Sequence, residues 1–523
     1  MQNQSIVRVV VVFAILVLVN VIAVKLFTRL DLTSNKAYTL SQTSRTLVKS
    51  LDDKFVVKAY FTGDLPSPWN NNRRYLQDQL DEYRAYGNGN FQYEFVDPSK
   101  NKDLEGEAQK YGIPQVRVQV VKDDKMSDQL AFMGVTFLYG DKHETLPVVQ
   151  NLNNLEYEIS STIKKMTSKE LKKVGFMTGH GEPEMDKYAA LKDGLEKQYT
   201  VTSVDLKGGR PVPQDLAVLV IAAPAQAFKD WEKFLIDQYI VKGGHVAFLL
   251  NEVSINLQSQ QGAPTNLQMD DLLAAYGIRV NTDLVRDARC AMVRVQQNAG
   301  YFMIQNQIPF PYLPMASEFD KQSPIVKDLS SVIFYFASSI DTNGAKAKGL
   351  TTDVLIRSSK KSGRQENFFM VNPGAEMKED MFKESGIPLA VTVEGDFPSA
   401  YAQRTAQADT GMMLDQSSKV SAGNSKIAVV GDGDFAQDGF SGGNKDNIVF
   451  ATNLIDYLAD DIGLASIRSR DTAPKPLDEV SESTRGMVKY ATLFLPPFLM
   501  IGIGVVRWRW RASVRKKVES QGI

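Results

Sequence analysis

The most constraining stretch of the chain is an apolar segment, Val174-Gly-Phe-Met177, that breaks into Thr178-Gly-His-Gly181. A helical pattern opens near Glu184 and sets Leu191 and Leu195 on one face. A buried strand that ends in a glycine turn and feeds a helix is the opening unit of an open α/β sheet. The theme repeats. Residues 201–206 alternate as a strand, and 216–222 are continuously apolar, as a parallel strand covered on both faces must be. Residues 231–241 have helical spacing that stops at Gly243-Gly244. Strands follow at 245–250 and 426–430, the second ending in Gly431-Asp-Gly-Asp-Phe435. The pattern predicts a doubly wound α/β domain in two segments, 172–277 and 424–468, with a β-rich insertion over 278–423. In the insertion, strand-like pieces at 290–296, 332–337, 353–358 and 389–394 flank a proline-broken apolar loop at 307–314.

The region before it, 31–167, has its own order. Ser41 is placed to cap a helix, 55–62 alternates as a strand, and Leu76, Leu80 and Tyr83 mark a helix over 73–86. A strand at 91–96, a helix at 104–111 and Gly112-Ile-Pro114 lead to a strand at 116–121. A hairpin (131–139 and 143–147) and an amphipathic helix carrying Leu155, Ile159, Ile163 and Met166 close the unit. This order resembles the thioredoxin fold, in which a cis proline precedes the third strand, the place Pro114 takes here. The redox cysteines of that fold belong after the first strand, where this chain reads Gly63-Asp-Leu-Pro-Ser-Pro-Trp69. The expected domain is therefore a scaffold or binding module without thiol chemistry.

Composition removes several function classes. With 60 basic and 61 acidic residues there is no electrostatic case for nucleic acid. One cysteine, Cys290, excludes an internal disulfide and any CxxC site, and three histidines exclude a histidine-rich metal centre. No phosphate-loop motif occurs, and no cofactor is expected. Gly439-Phe-Ser441-Gly-Gly443 has nucleophile-elbow spacing, but no histidine follows Ser441 and no strand ends at it, so it reads as a loop.

Ligands of open α/β sheets bind beyond the carboxyl ends of the strands. Those positions here carry His180 and Glu182, Asn251 and Glu252, and Asp432 and Asp434. Four carboxylates and an imidazole along one edge suit a hard cation or sugar hydroxyls. The same residues equally suit helix caps and turns.

Both ends are apolar. Residues 6–27 and 487–506 are each long enough to span a bilayer as a helix, the second with Pro496-Pro497 inside it. A polar linker at 469–485 precedes the second, and a tail at 507–523 follows it. Trp508 and Trp510 alternate with arginines, and six basic residues in this tail argue for a cytoplasmic C-terminus. Lys25, Arg29 and Lys36 after the first segment argue the other way, but long domains translocate largely regardless of charge. The expected layout is two spans in a cell inner membrane, both termini cytoplasmic and the body periplasmic.

Gly179-His-Gly-Glu-Pro183, Tyr239-Ile-Val-Lys-Gly-Gly-His245 and Gly431-Asp-Gly-Asp-Phe435, together with the flanking apolar segments, resemble the auxiliary components of ABC-type transport systems, a family with gliding-motility members. The resemblance covers nearly the whole chain. It implies a class I glutamine amidotransferase-like core without that class's catalytic cysteine, hence no enzymatic activity. It also implies partners: a multispanning permease, through it a cytoplasmic ATPase, membrane lipid, and a periplasmic envelope partner. Two readings stand: a non-catalytic transporter subunit, or a hydrolase, amidotransferase-like enzyme or cation- or carbohydrate-binding module using the acidic edge.

Overall fold

A computed structural model describes residues 39–468 and 482–520, apart from 64, 66–68, 123–124, 150–151, 153, 300–301, 328, 410–413, 442–443 and 461. The apolar segment at 6–27 and most of the linker at 469–485 lie outside the described residues.

The first layer begins with α1 (Gln42–Lys49), whose cap is Ser41, accepting from the Ser44 N–H. Strand β1 (Phe55–Phe61) is followed by α2 (Trp69–Tyr86), β2 (Phe91–Val96) and α3 (Lys102–Lys110). Hairpin β3 (Val116–Lys122) and β4 (Lys125–Ala131) then precedes β5 (Met133–Tyr139), β6 (Lys142–Leu146) and α4 (Leu155–Thr167). The four-stranded sheet runs β2-β1-β5-β6, parallel between β1 and β2 and antiparallel elsewhere, in register through Phe95, Ala59, Val135 and Leu146. Leu76, Leu80 and Tyr83 of α2 pack with Ile159 and Ile163 of α4 on Phe55, Val57 and Phe137. Residues 116–121, expected as a strand, form one as β3 (Val116–Lys122), but it does not join this sheet. Among the described residues that strand pairs with β4 alone, in a two-stranded sheet. Arg117, Gln119, Gln129 and an exposed Leu130 give the hairpin too little apolar surface to enter the main sheet.

The central sheet has eight strands. In chain order they are β7 (Lys172–Thr178), β8 (Tyr199–Asp205), β9 (Leu216–Ala222), β10 (His245–Leu249), β11 (Glu318–Phe319), β12 (Thr351–Arg357), β13 (Pro388–Pro398) and β14 (Ala422–Val430). Their spatial order is β11-β12-β13-β14-β10-β9-β7-β8. The five strands expected from the apolar runs are mutually parallel. One row crosses from Ser203 through Phe176, Val220, Ala247, Ala428 and Thr392 to Asp353. The insertion is therefore not separate from the sheet. It adds β11, β12 and β13 as antiparallel neighbours beyond β14.

Helices α5 (Ala189–Glu196) and α8 (Lys445–Leu458) cover one face with Leu191, Leu195, Phe450, Leu454 and Leu458. On the other, α6 (Asp230–Val241) and α7 (Asp270–Ala275) pack Phe234, Ile236, Ile240 and Leu272 against Leu219, Ile221 and Val246. Each such aliphatic side chain contributes about 1.5–3 kcal/mol when fully buried. Residues 302–316, expected to hold a loop, form a long strand paired with Cys290–Ala299. Pro309, Pro311 and Pro314 are tolerated because the pairing is irregular there: the register jumps from Met292–Pro309 to Cys290–Pro314, and prolines in strands are confined to such breaks and to edges. The insertion also folds back over the end of β14: the Ser338 N–H donates to Gly431 O at 2.7 Å. Glycine is required there, since a Cβ at 431 would sit 2.0 Å from the Ser338 carbonyl oxygen.

The second compact unit holds α10 (Glu482–Ser520), a continuous helix of 39 residues through Pro496 and Pro497. Within it, Gly486–Ala512 (27 residues, with an 18-residue window of mean hydropathy 1.6) is long and apolar enough to cross a membrane, fitting membrane association.

Candidate functional site

Strand β7 delivers His180 through a turn in which Gly179 has φ +119° and Gly181 φ +79°. The His180 carbonyl accepts from the Ala225 and Gln226 N–H groups (2.9 and 2.8 Å), lacing the end of β7 to the loop after β9. That is the crevice where parallel neighbours diverge, and where such sheets usually admit ligands. Here it is filled. The imidazole stacks on Phe228 at 3.9 Å, with Nε2 3.1 Å from Glu232 Oε2 and Nδ1 3.5 Å from Glu182 Oε1. Glu182 also accepts from the His180 N–H, and Glu232 from the Lys229 N–H at the start of α6. Burial opposes protonation of His180, but the two carboxylates outweigh it and push the imidazole up to about 9. The imidazole is a buried clamp between the end of β7 and the start of α6, closed at Nε2 by Glu232; the 3.5 Å contact to Glu182 is no hydrogen bond, and His180 Nδ1 and Glu182 Oε1 are buried without one. Glu232 was not anticipated; its signal was a glutamate in the first turn of α6, where it meets the helix N-terminus.

Asn251, Asp432 and Asp434 form a second group. Asp432 is fully buried and accepts from the Tyr335 N–H (Oδ2, 2.6 Å) and the Asp434 N–H (Oδ1, 2.7 Å). Asn251 donates to Asp434 Oδ2 at 2.9 Å and accepts from the Gly433 N–H at 2.7 Å. Gln437 donates to the other Asp434 oxygen. Burial raises both carboxyls, and Asp434 adds its repulsion to Asp432. Tyr188, which the sequence did not single out, sits between the groups: burial and then Asp434, Asp432 and Glu182 hold its phenol above the ordinary value.

The six residues thus divide. His180 and Glu182 meet Glu232; Asn251 meets Asp432 and Asp434; Glu252 lines a cavity of its own with Asp270. Among the described residues no group of three or more His, Cys, Asp or Glu is arranged to hold a metal ion. Ser441 ends a short helix (Asp438–Ser441), not a strand. Cys290 opens the hairpin strand in the insertion, its thiol pushed up to about 11 by burial, which leaves it a poor nucleophile at neutral pH.

The family model described as ABC-type uncharacterized transport system matches residues 171–459, and a domain of unknown function (DUF7088) matches 34–138. An uncharacterized protein of Borreliella burgdorferi is 23% identical over 503 residues, covering 92% of this chain and 93% of its own. Among solved structures, the mmIFT52 N-terminal domain is 13% identical with a TM-score of 0.33, covering 55% of this chain and 97% of that one. The exo-beta-1,4-mannosidase Op5Man5 from Opitutaceae bacterium strain TAV5 is 12% identical with a TM-score of 0.23, covering 78% of this chain and 50% of that one. The family's auxiliary character implies a non-catalytic accessory role and association with a transporter complex. Matched by the family model over more than half its length, the chain belongs to the auxiliary family of the ABC-type uncharacterized transport systems.

Proposed function

We propose that this chain is a membrane-anchored, non-catalytic subunit of an ABC transporter, its body periplasmic and both termini cytoplasmic, serving gliding motility or a related envelope function. The observation that carries the reading is the family match over 171–459 in a chain that also bears α10. The permease is the direct partner, through it the cytoplasmic ATPase, with lipid around the anchor and an envelope component as a further partner. The strand order β2-β1-β5-β6 supports a thioredoxin-like reading of 31–167, and the five parallel strands of the central sheet support an amidotransferase-like core. Neither carries the chemistry of its class: no cysteine follows β1, and the sole cysteine is Cys290.

The Asp432–Asp434 pair of the acidic edge supports the same reading, because these two carboxylates are already engaged by backbone N–H groups and amide side chains. Purification of the intact chain in mild detergent tests the proposal. The expected result is recovery of a multispanning permease and an ATPase; recovery of the chain alone from cells making all three overturns it. Labelling of cysteines placed at positions 3 and 520 with an impermeant reagent checks topology, and labelling of either in intact spheroplasts overturns the layout.

A further inference from the structure

Glu252 leaves β10 beside Asn251 but serves a different cavity, of about 350 Å³. Its floor is Glu252, Leu267 and Met269, all buried; Asn266, Gln268 and Asp270 stand exposed around it. The Glu252 side chain is 7% exposed and has no hydrogen bond or ion pair to any described residue. A buried carboxylate without a partner is uncommon, since desolvation opposes its charge and nothing compensates. The Thr265 N–H holds the Glu252 carbonyl at 2.9 Å, fixing the residue at the cavity wall, while Thr265 itself does not line the cavity. A carboxylate on a residue only 7% exposed, without a partner and lining a cavity, points to a ligand that completes it.

The loop that frames the cavity is built for this placement. Asn266 and Gln268 have φ +55° and +57°, left-handed values that a glutamine adopts at a cost. They alternate with Leu267 and Met269, which anchor in the core at 1% exposure each, so both amides line the cavity. The Phe228 N–H donates to Leu267 O at 3.0 Å and ties the loop to the start of α6.

Charge selects the ligand class. Glu252 and Asp270 are the titratable groups lining the cavity, and no Lys, Arg or His lines it. Two carboxylates are too few for a calcium cage of six to eight oxygens, and no group of three or more ligating residues exists among the described residues. No aromatic ring lines the cavity for a sugar face. We propose that this cavity binds a small organic cation, whose ammonium or guanidinium group pairs with Glu252 and Asp270 and donates to Asn266, Gln268 and Thr282. Burial and the nearby Asp270 push the Glu252 carboxyl up to about 7, so binding of a cation near neutral pH displaces its proton.

Isothermal titration of the intact, detergent-solubilised chain with ethylammonium, with arginine and with calcium tests the assignment. One of the two organic cations is expected to bind, with affinity falling about tenfold or more in Glu252→Gln and about threefold in the exposed Asp270→Asn. Repeating the titration near pH 7 in buffers of different ionisation enthalpy should show proton release on binding; its absence overturns the proposal. So does no binding of either organic cation, binding unaffected by both substitutions, or calcium as the sole Glu252-dependent ligand. If Glu252→Gln fails to fold, Asp270→Asn and the proton release still decide. The assignment stands apart from the transporter reading, because permease recovery and cation titration fail independently.

Discussion

The guanidinium of Arg468 lies 4.6 Å above the ring of Tyr157 and donates to its hydroxyl at 2.8 Å. Tyr157 belongs to α4, the closing helix of the first layer, whereas Arg468 ends α9 (Ala465–Arg468), the last described turn before the linker. The same guanidinium pairs with Asp456 at 2.8 Å and with Asn453 at 2.7 Å, both on α8. Tyr199 donates to the other Asp456 oxygen at 2.8 Å. One buried cation thus joins the first layer, the central sheet's helix and the segment leading toward the membrane helix.

Arg468→Met should therefore be severely destabilising. It strands the fully buried Asp456, and breaking a buried pair on one side typically costs about 3–5 kcal/mol. Replacing both partners by apolar residues is far less damaging. The melting temperature of Arg468→Met/Asp456→Leu should exceed that of Arg468→Met. A double variant at or below the single one would show that the charge pair is not what holds the joint.

His180 predicts a pH dependence of definite sign. Its folded value, about 9, lies above the ordinary 6.5, so its stabilisation is complete below about 6.5 and is lost as pH rises through about 9. The effect is at most about 3 kcal/mol for a shift of this size. His180→Gln should lower the melting temperature near pH 6 and flatten its decline across the alkaline range. Parallel profiles for wild type and variant would remove the imidazolium clamp from the account.

Glu252 predicts the opposite response to substitution. Its folded value, about 7, exceeds the ordinary 4.5, so the protonated form is preferred on folding. That preference supports stability fully below about 4.5 and is lost as pH rises through about 7. Without added cation, Glu252→Gln should melt higher than wild type at pH above about 8, by up to about 3 kcal/mol of stability, and match it in acid. A glutamine that stabilises while abolishing cation binding would mark a residue kept for a ligand and not for the fold. A lower alkaline melting temperature would instead make Glu252 structural.

The parallel core was legible because its inner strands are largely apolar runs, a pattern that burial on both faces demands of Val174, Leu219 or Val429 alike, and its edge strand β8 alternates. The addition of β12 and β13 was not. Their pairing with β14 depends on partners far apart in the chain, and Asp353 or Thr392 gives no periodic sign of which sheet they join. Likewise the carboxyl-end placement of His180, Glu182, Asp432 and Asp434 followed from strand direction alone. Their division into clusters did not, because it is set by Glu232 and Tyr335, which come from other segments. The sequence could offer caps or ligands as readings; only the donors facing each oxygen distinguish them.

Those donors lead to the prediction on Asp432. Its two oxygens each accept a backbone N–H, one from Asp434 in its own turn and one from Tyr335 in the returning insertion. An asparagine keeps the shape but turns an NH₂ toward one of those N–H groups, whichever way its amide is flipped. A buried donor facing a donor costs about 1–3 kcal/mol. Asp432→Asn should lower the melting temperature and speed hydrogen exchange at the Tyr335 and Asp434 amides, with the sheet interior at Val220 unchanged. Asp434→Asn should be milder, since Gln437 is an amide that can turn to meet the new donor, while Asn251, held by the Gly433 N–H, keeps donating to the remaining oxygen. A cation site predicts another outcome: a calcium- or magnesium-dependent rise in wild-type melting temperature at millimolar concentration that the double variant lacks. If that rise is seen and Asp432→Asn leaves exchange at Tyr335 untouched, the carboxylates are ligands and not the clasp that holds the insertion over β14.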